Sequence, residues 1–386
     1  MQTSLLHTTL LLLALAVPTF SEPLRAAVWP DKGVPNGDGT TTPATTVFKV
    51  ISATDPQVLA GLSPLNWIRT SDAVHSPVCG ASFKLAFLDT KHVVLNVDTA
   101  RHNYSAPARF PIVAWTVNNG PQQTQQLAAG ETTVTLSNSI TNPVIDFYIK
   151  GISPFEDRFR GDVPANAVSL TGFSVDPKCR LTAPPAAPIW LNLGDSILSG
   201  DAAAYASKQG RPPDDQWAAS DDARASYGYL LAKHYGYRET RLAFGGYDWA
   251  GGLGNNPQVA DLVDQSTSTT SRLTNDKLAP CPKVVLINLG ENGAPKAETV
   301  LAALTKLRLR CVPDTRIIVM IPVSGKARAE VTAAVQTYLQ SSKDTHTHLV
   351  DLGPVRYETA DGGHPTAAGH QSIYQAALAH LDKLVK

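Results

Sequence analysis

The pattern of hydrophobic and polar positions changes character at residue 182. Over residues 47–181 the apolar positions fall in short β-branched or aromatic runs, at 83–87, 93–97, 112–117, 132–136, 144–149 and 168–175. Turn-forming stretches such as Asn118-Asn119-Gly120 separate the runs, and no convincing helical period lies between them. Short strands at this spacing predict an all-β sandwich of jelly-roll type. Thr182-Ala183-Pro184-Pro185-Ala186-Ala187-Pro188 holds too much proline for a central strand or a helix and reads as an interdomain linker.

From 189 to 386 strand-like and helix-like segments alternate. Apolar runs at 189–193, 241–244, 284–289, 317–321 and 348–352 have the character of buried parallel strands, and 223–234, 296–310, 326–339 and 366–383 have helical character. Strands interleaved with helices predict a three-layer α/β domain, in which ligands bind beyond the carboxyl ends of the strands. Residues 194–196, 245–246 and 290–292 all fall at such ends.

The start of the chain follows neither pattern. An apolar stretch at 10–17 is too short to cross a bilayer and precedes Pro18-Thr19-Phe20-Ser21, so residues 1–21 read as a secretory signal, although no Lys or Arg stands before the apolar run. Residues 22–46, rich in Pro, Gly, Thr and Ala, read as a flexible lead-in. A secreted, extracellular protein follows, with no later segment apolar enough to span a membrane. Its formal net charge of +0 removes the electrostatic argument for nucleic acid or an anionic membrane surface and favours a small or neutral substrate.

At 386 residues the chain exceeds the size at which one core stops growing, so two domains are the default. The four cysteines divide two and two, Cys79 with Cys179 and Cys281 with Cys311, without zinc-type spacing. Export makes a disulfide within each half the economical expectation, with buried free thiols as the alternative. Asn103-Tyr104-Ser105 is a glycosylation sequon for an exported chain.

The candidate chemistry sits at the strand ends. Gly194-Asp195-Ser196-Ile197 places a hydroxyl where a buried strand hands over to a helix, and Asp361-Gly362-Gly363-His364 places a carboxylate three residues before an imidazole. A serine hydroxyl needs a base to take its proton, and a base works best when a third group fixes its tautomer. Ser196, His364 and Asp361 are the right types for an acyl-transfer triad; a backbone carbonyl in place of Asp361 would leave a dyad. The oxyanion of the tetrahedral intermediate needs preorganised donors, and the Ser196 N–H, the Gly246 N–H and the Asn292 amide are suitable. His370 lies inside the predicted last helix and reads as a surface or packing residue, and Glu291 as a surface carboxylate. Trp249 and Tyr247 follow the glycine pair at the rim of the expected cleft, where flat rings would stack on sugar rings; simple packing is the equal alternative for Trp249. Trp217 and Tyr205 sit in a polar insertion over 201–222 and read as loop anchors.

These blocks, in this order, resemble the SGNH (GDSL-like) hydrolase family. Residues 194–197 match its nucleophile block, Gly245-Gly246 its glycine block, Gly290-Glu291-Asn292 its Gly-x-Asn-Asp block, and 361–364 its Asp-x-x-His block. Gly293 departs from that pattern, which has Asp there. The resemblance implies Ser196 as nucleophile and oxyanion donor, Gly246 (or Gly245) and Asn292 as further donors, a parallel sheet of flavodoxin-like order, and no metal or organic cofactor. A β-sandwich over 47–181 ahead of an SGNH domain over 189–386 is similar to the layout of the second carbohydrate esterase family, as are Phe110-Pro111-Ile112-Val113-Ala114-Trp115 and Asn166-Ala167-Val168. That resemblance implies an acetyl esterase acting on acetylated polysaccharide or oligosaccharide. Two competing readings are a general short-chain esterase or lipase of the same class, and a catalytically weakened carbohydrate-binding protein. No Gly-x-Ser-x-Gly elbow of the α/β-hydrolase type occurs.

Overall fold

The computed structural model describes residues 34–35, 41–42, 47–100, 107–205 and 212–386. By its contacts the chain divides into two units, Met1–Phe48 and Lys49–Lys386. In the first, Val34–Pro35 pairs antiparallel with Thr41–Thr42. The expected signal at 1–21, most of the lead-in and the sequon at Asn103 lie outside the described residues.

The second unit begins with two antiparallel sheets. One is built on Val168–Val175, which pairs with Val93–Asp98 along one edge and with Val74–Ser76 and Lys49–Ser52 along the other. The other centres on Val144–Gly151, between Ser82–Leu88 and Ile112–Val117. Strand geometry sends alternate side chains to opposite faces, so Ser82–Leu88 buries Phe83, Leu85 and Phe87, and Val93–Asp98 buries Val93, Leu95 and Val97. Phe83 stacks on Phe147 at 4.6 Å and meets Phe173 of the facing sheet edge-on at 5.4 Å. Each such buried ring contributes about 1.5–3 kcal/mol relative to an exposed one. Arg180–Thr182 pairs with Ser82–Leu88, so sheet structure takes in the first residue of the proline-rich stretch.

The α/β half holds a five-stranded parallel sheet in the order Arg238–Ala243, Ile189–Gly194, Val284–Asn288, Arg316–Met320, Thr347–Val350. Ile189–Gly194 and Val284–Asn288 are buried along their whole length, because helices cover both faces of the sheet. The strand expected at 241–244 starts at Arg238. Its first residues are polar yet engaged: Arg238 donates to the Gly61 carbonyl at 2.7 Å, and Glu239 accepts from Arg241 Nε at 2.7 Å. The helix expected at 223–234 is a 3₁₀ turn, Ala223–Ala225, followed by Tyr227–His234, since Ser226 caps a new helix start. Helices Ala297–Arg310, Arg328–Ser342 and Ala367–Val385 lie close to the predicted spans. Among the described residues no helix is long and apolar enough to cross a membrane.

One apolar cluster runs through both halves, from Ile51, Phe83 and Phe173 to Leu191, Ile287 and Val335, so sandwich and α/β domain pack as one body. The expected disulfides are absent, and all four cysteines are thiols. Cys79 lies in a separate small cluster with Ala114, Tyr148 and Ala223, whereas Cys179 belongs to the large core, which keeps that pair apart. Cys281 and Cys311 hydrogen-bond as thiols, and this contact draws Cys281 down to about 6.

Candidate active site

The centre of the site is where Ile189–Gly194 ends. Gly194 must be small here, because a Cβ on it would stand 2.4 Å from Leu198 Cδ1 and 3.0 Å from the Asn288 carbonyl. Asp195 then caps the short helix Ser196–Ser199 by accepting from the Ile197 N–H at 3.0 Å, and Gly200 ends it in the left-handed region at φ 86°. The sharp strand-to-helix turn leaves Ser196 as the first helical residue, with its hydroxyl facing the next strand ends. Arg241, fully buried, donates to the carbonyls of Leu198 and Ser199 at 3.0 and 3.1 Å and so holds this helix from behind.

The chain returns to this point 168 positions later. Residues 359–365 form a turn closed by the Ala360 N–H on the His364 carbonyl at 2.8 Å, with Gly362 at φ 86°, where an L side chain is strained. Thr366 caps the following helix by accepting from the Gly369 N–H at 3.1 Å. In this turn Asp361 accepts three times: from the Gly363 N–H at 3.0 Å, the His364 N–H at 2.7 Å and His364 Nδ1 at 2.7 Å. The other nitrogen, His364 Nε2, lies 2.9 Å from Ser196 Oγ. Trp217, buried, meets the imidazole edge-on at 5.6 Å and passes its Nε1–H to Asp201 at 3.4 Å.

Electrostatics follow from this packing. Burial opposes a charge on His364, but the hydrogen bond to Asp361 and the nearby carboxylates of Asp201, Asp361 and Asp195 outweigh it and raise its pKa above the ordinary imidazole value. Burial alone would push Asp361 up; its hydrogen bonds from His364 and Gly363 prevail and hold it well below the usual carboxylate range. For Asp195 the balance is reversed: burial, with Glu291 nearby, outweighs the hydrogen bond from the Ile197 N–H and the nearby His364 and pushes it up to about 8.

The donor candidates Gly246 and Asn292 meet at Tyr247. Asn292 Nδ2 gives one hydrogen to the Tyr247 carbonyl at 2.9 Å, which orients the amide and leaves its second N–H. Gly246 takes φ 66°, and a Cβ there would meet Leu253 at 2.6 Å. At Gly293, where the resemblance expects a carboxylate, the chain supplies one from elsewhere: a Cβ on Gly293 would stand 2.6 Å from Asp248 Oδ2.

Several expectations need correcting. Tyr247 and Trp249 are not rim aromatics, since both are fully buried, with Tyr247 OH bound to the Pro257 carbonyl at 2.9 Å and Trp249 Nε1 to the Leu289 carbonyl at 3.2 Å. They anchor the hairpin that carries Asp248. Glu291 is not a free surface carboxylate; it accepts from the Ser324 hydroxyl at 2.6 Å. His370 takes the packing alternative of its expected surface or packing role: it is buried, accepts from the Tyr227 N–H at 3.4 Å, and is pushed down to about 3 by burial. Asp201, which accepts from Trp217 beside the imidazole, stands in no local motif that would mark it in the sequence.

No family model and no curated protein sequence matches this chain. Solved structures do match in fold. A family two carbohydrate esterase from Cellvibrio japonicus superposes with a TM-score of 0.68 at 16% identity, covering 88% of this chain and 98% of its own. The acetyl xylan esterase Est2A from the rumen bacterium Butyrivibrio proteoclasticus gives 0.67 at 15% identity, over 87% of this chain and 98% of its own. A family two carbohydrate esterase from Clostridium thermocellum in complex with cellohexaose gives 0.65 at 17%, over 83% and 98%. This chain therefore has the fold of the family two carbohydrate esterases, a β-rich first part followed by an SGNH-type α/β domain.

Proposed function

We propose that this protein is a secreted serine esterase that removes acetyl groups from O-acetylated carbohydrates, acetyl xylan among them, through an acyl-enzyme on Ser196. The observation that carries the reading is the unbroken line of hydrogen bonds from Asp361 through His364 to Ser196. His364 Nε2 takes the hydroxyl proton as Ser196 Oγ attacks the acetyl carbonyl, while Asp361 holds the Nδ1–H tautomer and balances the imidazolium. The Ser196 and Gly246 N–H groups and the Asn292 amide receive the oxyanion. The imidazolium then gives its proton to the departing sugar oxygen. A water, deprotonated by the same imidazole, attacks the acetyl-serine, releasing acetate and restoring the hydroxyl.

The substrate class is supported by the fold shared with carbohydrate esterases, one of them named as an acetyl xylan esterase and one solved with cellohexaose. Secretion rests on the apolar stretch at 10–17 and the small residues after it. The test is acetate release from acetylated xylan and from an aryl acetate by the wild type and by Ser196→Ala. The expected loss is at least about a thousandfold on both substrates. Equal rates for the two proteins would end the proposal, and a chain-length series of aryl esters without acetyl preference would favour a general short-chain esterase.

A further inference from the structure

The segment that follows strand Val144–Gly151 belongs to the sandwich by chain order, yet it lies against the glycine block of the α/β half. A Cβ on Gly245 would stand 2.7 Å from Pro154 Cβ. The Arg158 N–H donates to the Gly254 carbonyl at 3.0 Å, and Asn255 Nδ2 donates to Asp157 Oδ2 at 2.6 Å. Between these anchors sits Phe155, half-buried, its ring centre 6.1 Å from that of Trp217, which in turn touches the His364 imidazole. Arg109, from the turn Pro107–Arg109 of the sandwich, brings its guanidinium to 5.3 Å from the Phe155 ring centre and to 3.5 Å from Glu156.

We infer that Phe155 and Arg109 form the subsite for the saccharide leaving group, so that the sandwich is a wall of the catalytic cleft and not a separate module. The inference rests on the carbohydrate-ester reading above. The imidazole that protonates the departing oxygen fixes where the leaving group stands: within reach of His364 Nε2. Trp217 packs edge-on against that imidazole, and Phe155 packs on Trp217. An aromatic ring offers an apolar face to the C–H face of a pyranose, and a guanidinium beside a carboxylate offers donors and an acceptor to its hydroxyls. Arg109, Phe155 and Glu156 already hold one another, so little ordering is needed when a sugar arrives. The rings expected to do this from the glycine block, Tyr247 and Trp249, are buried and have no face to give.

The experiment compares wild type, Phe155→Ala, Phe155→Tyr and Arg109→Ala on acetylated xylohexaose and on phenyl acetate, whose small leaving group makes little use of such a wall. A parallel titration measures xylohexaose affinity in Ser196→Ala and in Ser196→Ala with Phe155→Ala. The ratio of kcat/KM for saccharide over phenyl acetate is expected to fall about tenfold in the two alanine variants, chiefly through KM, and to hold in Phe155→Tyr. Xylohexaose affinity is expected to fall by a similar factor. An unchanged ratio with unchanged affinity overturns the subsite, and so does an equal loss on both substrates. A wild type that hydrolyses phenyl acetate but not acetylated xylohexaose, with affinity still dependent on Phe155, defeats the deacetylase reading while upholding the subsite.

Discussion

His364 is held from three directions: Asp361 at its Nδ1 and at its backbone N–H, and Trp217 at its ring. The first hold has a measurable sign. Because the imidazole pKa is raised, largely by Asp361 against the opposing effect of burial, the neutral base is lost at a higher pH on acidification than in an ordinary histidine. Asp361→Asn removes that support, so the acidic limb of the kcat/KM profile is expected to move to lower pH. The plateau should fall by on the order of 10²–10⁴, as when a triad carboxylate is neutralised elsewhere. An unshifted limb would mean that another group sets the base. The residues of this centre were readable where short motifs carry them: Ser196 after a buried strand, His364 three residues past Asp361, Asn292 past a glycine. Trp217 and Asp201 were not, because no short motif marks them: Asp201 follows directly on the helix Ser196–Ser199, and Trp217 meets Asp201 and the imidazole only in the folded chain. Trp249 misled for a related reason. Its place two residues past the hairpin start suggested the rim, but the hairpin folds inward and its Nε1 ends on the Leu289 carbonyl.

At the scale of elements, period and burial decided what could be read. The strands Ile189–Gly194 and Val284–Asn288 are buried throughout and mostly apolar because both faces are covered, and the last helix buries Ile373, Ala377 and Leu381 at helical spacing. Gln123–Gln126 escaped notice, since an edge strand that buries little carries no apolar signature. The same holds for the polar start of Arg238–Ala243, where Arg238 and Thr240 find partners at residues 61–66 and Glu239 pairs with Arg241. Where the two halves touch, a single atom matters. A Cβ on Gly151 would stand 2.0 Å from the Ala218 carbonyl, at the junction between Val144–Gly151 and the helix Trp217–Ser220. Gly151→Ala is therefore expected to lower stability by about 1–3 kcal/mol, seen as a lower urea midpoint with an unchanged slope. An unchanged midpoint would show that the junction yields freely, and would weaken the case that the sandwich is fixed against the site.

Across the whole molecule, the fold's task is to bring one end of the central strand and a turn near the carboxyl end of the chain to hydrogen-bond distance. The shared core makes this possible: sandwich and α/β sheet pack as one body, and the turn at 359–365 lies at the helix start that carries Ser196. The account stands on Ser196 Oγ becoming covalently acetylated. Acid-quenching the protein during turnover of an aryl acetate, followed by peptide mass mapping, tests this directly. One acetyl group on the peptide holding Ser196, absent from Ser196→Ala, is the predicted result. Rapid turnover with no acetyl on that peptide, matched by an equally active Ser196→Ala, would contradict it.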